Sequence, residues 1–469
     1  MAYCWEFTYR TKLLRSRVIE YKSTKAGEFC MSLPQKNESS TFELFQSRLE
    51  NIIAINHELV RLSHLIDWNK LEKIFGEFFI SKKGRPAIAT RLMVGLLYLK
   101  HVNNLSDEQV VLVWRENPYW QYFCGEVYFQ HKVPIHPTSL TRFRNRIGEH
   151  GCELLLEETI NVGLKTDVVK PSEIAKINID TTVQPKAIKY PSDSSLYHQC
   201  RNNLVKLCKK HGVELRQTFS RLSKSQLLRG NRYAFARQMR RAKVCFKKIK
   251  IYLGRVCRDI ERKINEQPLK RDHFADLLLK ANRLLTQKRE DKNKLYSLHA
   301  PEVECIAKGK SHKKYEFGSK VSVAATSRSN FIVGIQSLDR NQYDGHSLSS
   351  ALAQVKKLTN QSPAKVFVDR GYRGHDAQEF EVFICGSRGI SVTRNLKRDL
   401  KRRSAIEPVI GHLKSDGSLS RNYYKGSLGD KMNAVMSGAC HNLRKILKKL
   451  RLFYFYYILF VKFGLVAQS

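Results

Sequence analysis

The chain has 469 residues, 42% of them hydrophobic and 10% aromatic, which is enough to bury a sizeable core and excludes global disorder and collagen-like or Pro/Gly-rich classes. The length suggests roughly three structural units. Lys and Arg number 83 against 43 Asp and Glu, a net charge of +40, which signals a polyanionic partner, nucleic acid first and an anionic membrane second.

Residues 1–40 read as a poorly ordered leader. Glu6, Arg10, Lys12, Arg15 and Arg17 exclude a signal peptide, and Met31 is an alternative start. Residues 41–165 read as an all-α N-terminal domain. Gly84-Arg85-Pro86 marks a turn, and Ile88, Leu92, Leu96 and Leu99 recur at helical spacing. Ser106-Asp107-Glu108-Gln109 is a capping box that opens a helix with Val110, Val113 and Trp114 on its face. After Pro134 and Pro137, Thr138 or Ser139 can cap a helix with the apolar stripe Leu140, Phe143, Ile147. Its other side carries Arg142, Asn145 and Arg146. These three are candidates for reading a major groove, or else form a solvated basic face.

Residues 172–450 change to strands. Ile177 and Ile179 alternate with Asn178, Asp180 and Thr182. Gly318–Thr326 and Phe331–Ile335 read as a hairpin, and Leu348, Ala351, Leu352, Val355 and Leu358 as a helix stripe. Val366–Asp369 is a buried strand. Asp376–Glu379 reads as the cap of a short helix with Phe380 and Ile384, and Ile390–Thr393 as a further strand. Helices are expected from about Ser404 and over Ala434–Leu450. The order gives an α/β (α+β) fold with a sheet of mixed direction.

Residues 190–310 interrupt this pattern as a basic helical insertion. Met239, Ala242, Phe246, Ile249, Leu253, Val256 and Ile260 form a seam, and Phe274, Leu278, Ala281 and Leu285 its return, which predicts a helical hairpin. Residues 201–300 hold 28 Lys and Arg against 8 Asp and Glu, a net +20. Lys243, Lys247, Lys248 and Lys250 are candidate phosphate contacts on a DNA-tracking arm; the alternative is a solvated surface. Residues 451–469 form an apolar C-terminal tail whose run from Leu452 to Val461 is too short to span a bilayer, so no membrane association is expected. Eleven scattered cysteines without a CxxC pair exclude a disulfide framework and a zinc site, and fit a reducing cytosol.

Three acids occupy comparable places: Asp180 on the first strand, Asp369 at the end of a buried one, and Glu407 in the first turn of a later helix. Carboxylates gathered at one sheet edge are hard oxygen ligands for Mg²⁺. Two such ions about 4 Å apart activate an attacking oxygen and stabilise a leaving one. Each acid also has a structural alternative: a strand-end turn for Asp180, an Asx cap for Asp369, and a capping box with Ser404 for Glu407.

The stretches INIDTTVQPKAI, KYEFGSKVSV, VFVDRGYRG and RRSAIEPVIGHLK, in this order, resemble the DDE transposases of bacterial insertion sequences, in the insertion-sequence-five/four-like superfamily. NQYDGHSL and the MNAVMSGACHNLRKIL helix are also similar to that group. The last of the four contains Arg403, Glu407 and Lys414 at the spacing of the family's R-E-K signature, although Leu400 stands where its tyrosine is usual. The resemblance covers roughly residues 65–450, with a helical domain for DNA binding or assembly preceding the core. It implies a ribonuclease-H-like catalytic domain in which Asp180, Asp369 and Glu407 bind two Mg²⁺ ions, with Mn²⁺ able to substitute. Water would release a 3′-hydroxyl at the element end, which then attacks target DNA. It further implies phosphate contacts from Arg403 and Lys414, a double-stranded DNA partner, a homodimer on paired ends, and a cytoplasmic, nucleoid-associated location. Tyr372 and Arg373 could stack on or clamp a flipped or frayed end base; the equal alternative for Tyr372 is a core tyrosine. The competing readings are a catalytically inactive DNA-binding relic, a Mg²⁺-dependent nuclease of the same fold, and a structural nucleoid protein.

Overall fold

The computed structural model describes residues 47–78, 87–265, 270–288, 290–291, 293–307, 314–386 and 393–466. The leader, the Gly84-Arg85-Pro86 turn and residues 390–392 of the expected strand lie outside the described residues, as do the side chains of 453–469.

The N-terminal helices are α1 (Leu49–Ile52), α2 (Glu58–Leu65), α3 (Trp68–Gly76), α4 (Thr90–Val102), α5 (Asp107–Glu116), α6 (Pro118–Phe123) and α7 (Pro137–Lys165). Leu92, Leu96 and Leu99 of α4 are buried, as their spacing requires. The capping box of α5 forms in both directions: Ser106 Oγ accepts from the Gln109 amide at 3.1 Å, and Gln109 Oε1 from the Ser106 amide at 3.0 Å. At α7 the cap is His136, whose Nδ1 accepts from the Thr138 amide at 3.3 Å, and not Thr138 or Ser139. Pro137 takes the first helical position, where its missing N–H costs nothing, and so fixes the start one residue early. Gly148, at φ +62°, breaks α7 after the Leu140–Phe143–Ile147 stripe.

α8 (Pro171–Ile174) leads into β1 (Lys176–Pro185). The insertion follows as α9 (Asp193–Lys210), α10 (Ser220–Phe235), α11 (Met239–Asn265) and α12 (Arg271–Thr286). It is thus more than the single hairpin expected. The seam residues Ile249, Leu253, Val256 and Ile260 do pack with Phe274, Ala281 and Leu284, but α9 adds Leu196, Cys200, Leu204 and Cys208 to the same core. Two of those four positions are cysteines, which fill a core as small apolar groups yet weaken a hydrophobic stripe read by eye.

Then come β2 (Glu304–Ala307), β3 (Tyr315–Thr326), β4 (Ile332–Leu338), α13 (Leu348–Thr359), β5 (Lys365–Val368), β6 (Val382–Ile384), α14 (Arg394–Arg402), α15 (Ile406–Ser415) and α16 (Gly426–Val466). The sheet is mixed. β3 lies antiparallel to β1, β2 and β4, while β5 runs parallel to β1 and to β6. The helix expected around Phe380 and Ile384 is strand β6, because Phe383 stacks on Phe367 of β5 at 5.5 Å and draws the segment onto the sheet edge. Asp376 caps α13 instead, accepting from the Ser349 amide at 3.1 Å.

One core cluster joins α2–α7, α16 and one face of β3 and β4; a second lies between β1, β5 and α13. α16 locks to β4 through Asn442, whose side chain exchanges hydrogen bonds of 2.9 and 2.8 Å with the Ile332 backbone. No described helix is long and apolar enough to cross a membrane.

Candidate active site

The site follows from strand register. β1 and β5 pair in parallel with Lys176 opposite Lys365 and Asn178 opposite Phe367. Two residues further, the same register sets Asp180 beside Asp369, on strands roughly 4.8 Å apart. β5 ends there, so Asp369 turns into a 3₁₀ turn, Arg370–Tyr372, and its Oδ1 accepts from the Gly371 amide at 2.8 Å. The cap that is the structural alternative for Asp369 therefore exists, and it leaves the second carboxylate oxygen unused in that bond. Burial, then the charge of Asp369, push the Asp180 carboxyl up to about 6, against the Thr181 amide and Arg403; Asp344 adds to the rise.

Asp344 lies in the NQYDGHSL stretch, and sequence reasoning assigns it no role. It accepts from Thr181 Oγ1 at 2.8 Å and pairs with Lys320 at 2.6 Å. A Cβ on Gly371 would lie 3.0 Å from Asp369 Oδ1 and 3.4 Å from Asp344 Oδ2, so both carboxylates face that one glycine. Thr181 follows Asp180 on β1 and Lys320 lies on β3 opposite Val183, so only the register brings them to Asp344.

Glu407 approaches from α15. Its capping box with Ser404 does not form: the Ser404 hydroxyl donates to the Lys401 carbonyl at 3.0 Å, and Arg403–Ala405 is a 3₁₀ turn. Arg403 stands between two of the acids, 3.7 Å from Asp180 and 3.5 Å from Glu407. The Glu407 side chain is 66% exposed. Among the described residues no three His, Cys, Asp or Glu side chains are assembled to hold a metal ion. Asp180 and Asp369 fit a hard divalent cation by their oxygens and their mutual repulsion, whereas Glu407 has an arginine where that cation would compete. Lys414 pairs with Glu316 of β3 at 3.8 Å.

Of the two readings of Tyr372, the structure shows the core tyrosine. It is fully buried beneath the sheet with Ile177, Val366 and Leu348, and cannot stack on a DNA end in this arrangement. The tight turn after Gly371 points it inward, and Arg373, next in sequence, is exposed. The Tyr372 hydroxyl has no hydrogen-bond partner among the described residues. Burial, then the charges of Asp344, Asp180 and Asp369, hold it well above the ordinary tyrosine range. A buried, unpaired donor beside three carboxylates is where a bound water or ligand oxygen would sit.

Arg142 and Asn145 are exposed on α7 and Arg146 is half-buried with partners of its own. Asn145 borders a cavity of about 840 Å³ rimmed by Arg421, Tyr423 and Lys425. Between Arg142 and Asn145 lies Arg144, which is buried in a bidentate pair with Asp107 at 2.8 and 2.6 Å. On α11, Lys243, Lys247 and Lys248 are exposed, and the half-buried Lys250 ammonium lies 5.9 Å over the Tyr197 ring.

Residues 47–146, from α1 into α7, match the family described as Transposase domain (DUF772). An uncharacterized protein of Rhizobium meliloti, ORF8 in the nfe locus, is 50% identical over 205 residues, which is 44% of this chain and 99% of that protein. The chain belongs to a transposase family. The transposase domain suggests a transposition function, and the family implies DNA as a partner. No solved structure matches the chain.

Proposed function

We propose that the chain is a DDE transposase with a ribonuclease-H-like core, which binds the terminal inverted repeats of its insertion sequence and carries out metal-dependent strand cleavage and strand transfer. The observation that carries this reading is the placing of Asp180 and Asp369 at the ends of adjacent parallel strands, where burial and then the charge of Asp369 raise Asp180 to about 6. Asp180 and Asp369 would hold Mg²⁺ or Mn²⁺, and Glu407 would complete the set on leaving Arg403. Bound there, the ions supply an activated attacking oxygen and a stabilised leaving oxygen. Arg403 then turns to a phosphate of the scissile strand, a role its fork geometry suits. Arg373, exposed one residue after the buried tyrosine, would clamp the strand end, and Lys414 would act beside α15. Arg142, Asn145 and Arg146 would read the repeat, and Lys243, Lys247, Lys248 and Lys250 would track phosphates. Two copies would meet on paired ends at the nucleoid in the cytoplasm.

The test is a Mg²⁺-dependent nicking and joining assay on DNA carrying the gene's own flanking repeats. A 3′-hydroxyl at the repeat boundary and joined product, both lost in Asp369→Asn, would support the reading. Binding without cleavage by the wild type would instead point to an inactive DNA-binding relic, which the arginine between Asp180 and Glu407 also accommodates. Neutralising Lys247 and Lys248 should lower the slope of log affinity against log salt by about 0.9 for each phosphate that is no longer neutralised.

A further inference from the structure

The lysines of α11 do not account for the end of the α10–α11 hairpin. Residues 215–258 contain 14 Lys and Arg and no Asp or Glu. Where α10 gives way to α11, Phe235 is 94% exposed, with Met239 at 51% and Val244 at 57%. Arg229, Arg232, Arg237 and Arg240, all within six residues of Phe235 in sequence, are exposed. Phe235 and Met239 lie four residues apart at the turn, two large apolar side chains exposed in a basic stretch without acids.

The tip is built, not frayed. Gly230 lies against Phe246, and a Cβ there would come 2.5 Å from the ring, so the two helices touch nearly backbone to side chain. Phe235 stands five residues beyond that point, about 7.5 Å along the helix. The turn is closed by Gln238 donating to the Tyr233 carbonyl at 2.8 Å and Arg237 to Ala234 at 3.0 Å. Arg237 takes the left-handed conformation at φ +57°. Arg241 donates to Gln238 Oε1 at 3.2 Å and lies 6.0 Å over the Tyr233 ring.

An exposed aromatic ring in an arginine-rich turn offers the two contacts that unpaired nucleic acid needs, a stacking face and phosphate charge. Charge argues against a second copy as the occupant, since two acid-free basic hairpins would repel. We propose that the α10–α11 tip is a base-contacting wedge: Phe235 stacks on an unpaired or unstacked base while the surrounding arginines hold the flanking phosphates. This rests on the DNA-acting reading above.

The experiment measures binding of the full chain to a plain duplex and to the same duplex with a short unpaired bubble, each carrying 2-aminopurine at that place. The wild type should prefer the bubble and change the 2-aminopurine fluorescence. Phe235→Ala should weaken bubble binding about tenfold, the scale of one base stack. The salt slope on plain duplex should stay the same, because every phosphate partner is kept. Phe235→Trp should keep the preference and Phe235→Leu should lose it. Equal bubble preference in Phe235→Ala and wild type, or a leucine that matches phenylalanine, would overturn the proposal. So would a DNA-free dimer that Phe235→Ala dissociates in sedimentation. Cleavage of repeat DNA without any Phe235-dependent preference sinks the wedge alone. Bubble preference without cleavage by the wild type sinks the transposase reading and leaves the wedge standing.

Discussion

Two partly buried carboxylates on this chain have opposite surroundings. Asp107 receives both Arg144 nitrogens and the Lys100 ammonium, at 2.6–2.8 Å. Burial alone would raise its carboxyl, but the Arg144 hydrogen bonds and the Lys100 charge outweigh that and hold it at about 2. Lys100 is the reluctant partner: burial, with the charge of Arg144, lowers it to about 8. Tyr424 closes the group, its ring 4.4 Å from the Arg144 guanidinium and its hydroxyl 3.1 Å from Lys100. Asp180 faces two further carboxylates and one loosely placed arginine, and burial pushes it up to about 6. The first acid carries its cations within the fold and holds α5 to α7. The second is under-compensated, a state that costs stability; on the proposed reading an outside cation would complete its charge.

The largest effect separates these roles by chemistry. Asp180→Asn, Asp369→Asn and Glu407→Gln should each abolish strand cleavage while DNA binding survives; retained cleavage by any one of them removes that residue from the site. Next comes stability. Asp107→Asn leaves Arg144 and Lys100 buried without their counter-charge, and breaking such a buried pair costs about 3–5 kcal/mol. Asp180→Asn, measured in chelator by urea unfolding, should cost nothing or stabilise. Equal losses for both would dissolve the contrast.

Much of this architecture is legible in the sequence because it depends on local pattern. The helix stripes, the α5 capping box and the β3–β4 hairpin form as their spacing predicts. The chain positions of the acids are legible too, because the motifs around them are contiguous. The remainder depends on register. Asp344, Thr181 and Lys320 come together only once β1 lies between β3 and β5. The inward turn of Tyr372 depends on a 3₁₀ turn that the three residues Arg370-Gly371-Tyr372 are too few to announce. β6 is illegible because three residues carry no period that distinguishes strand from helix, and the stacking of Phe383 on Phe367 decides it.

The pH dependence carries the contrast further, with opposite signs. Asp107 is lowered on folding, so its contribution is present above its unfolded value near 4 and is lost as pH falls toward 2. Asp180 is raised, so the native state holds its proton more tightly than the unfolded chain. Its protonated form therefore stabilises below about 4, and that stabilisation is lost as pH rises to about 6. In chelator, wild type should thus lose stability between about pH 4 and 6 relative to Asp180→Asn, by at most about 3 kcal/mol for a two-unit shift. A flat difference over that range would mean Asp180 is already compensated.

The smallest effect on stability is the most telling, because it compares two arginines. Arg144 is buried, bidentate and within 2.8 Å of its acid, whereas Arg403 reaches Asp180 and Glu407 at 3.7 and 3.5 Å without a tight fork to either. Arg144→Gln should therefore unfold the helical junction by several kcal/mol, in line with a broken buried pair. Arg403→Gln should cost less, about 1 kcal/mol, because both of its pairs are long and the Glu407 side chain is 66% exposed. If Arg403 were only a structural tie, that small cost would be its whole phenotype. If it yields its place beside Asp180 to a divalent cation, Arg403→Gln should bind Mn²⁺ more tightly than wild type in the absence of DNA, while strand cleavage falls for want of a phosphate partner. Tighter ion binding with poorer cleavage is a combination that a structural arginine such as Arg144 has no way to produce.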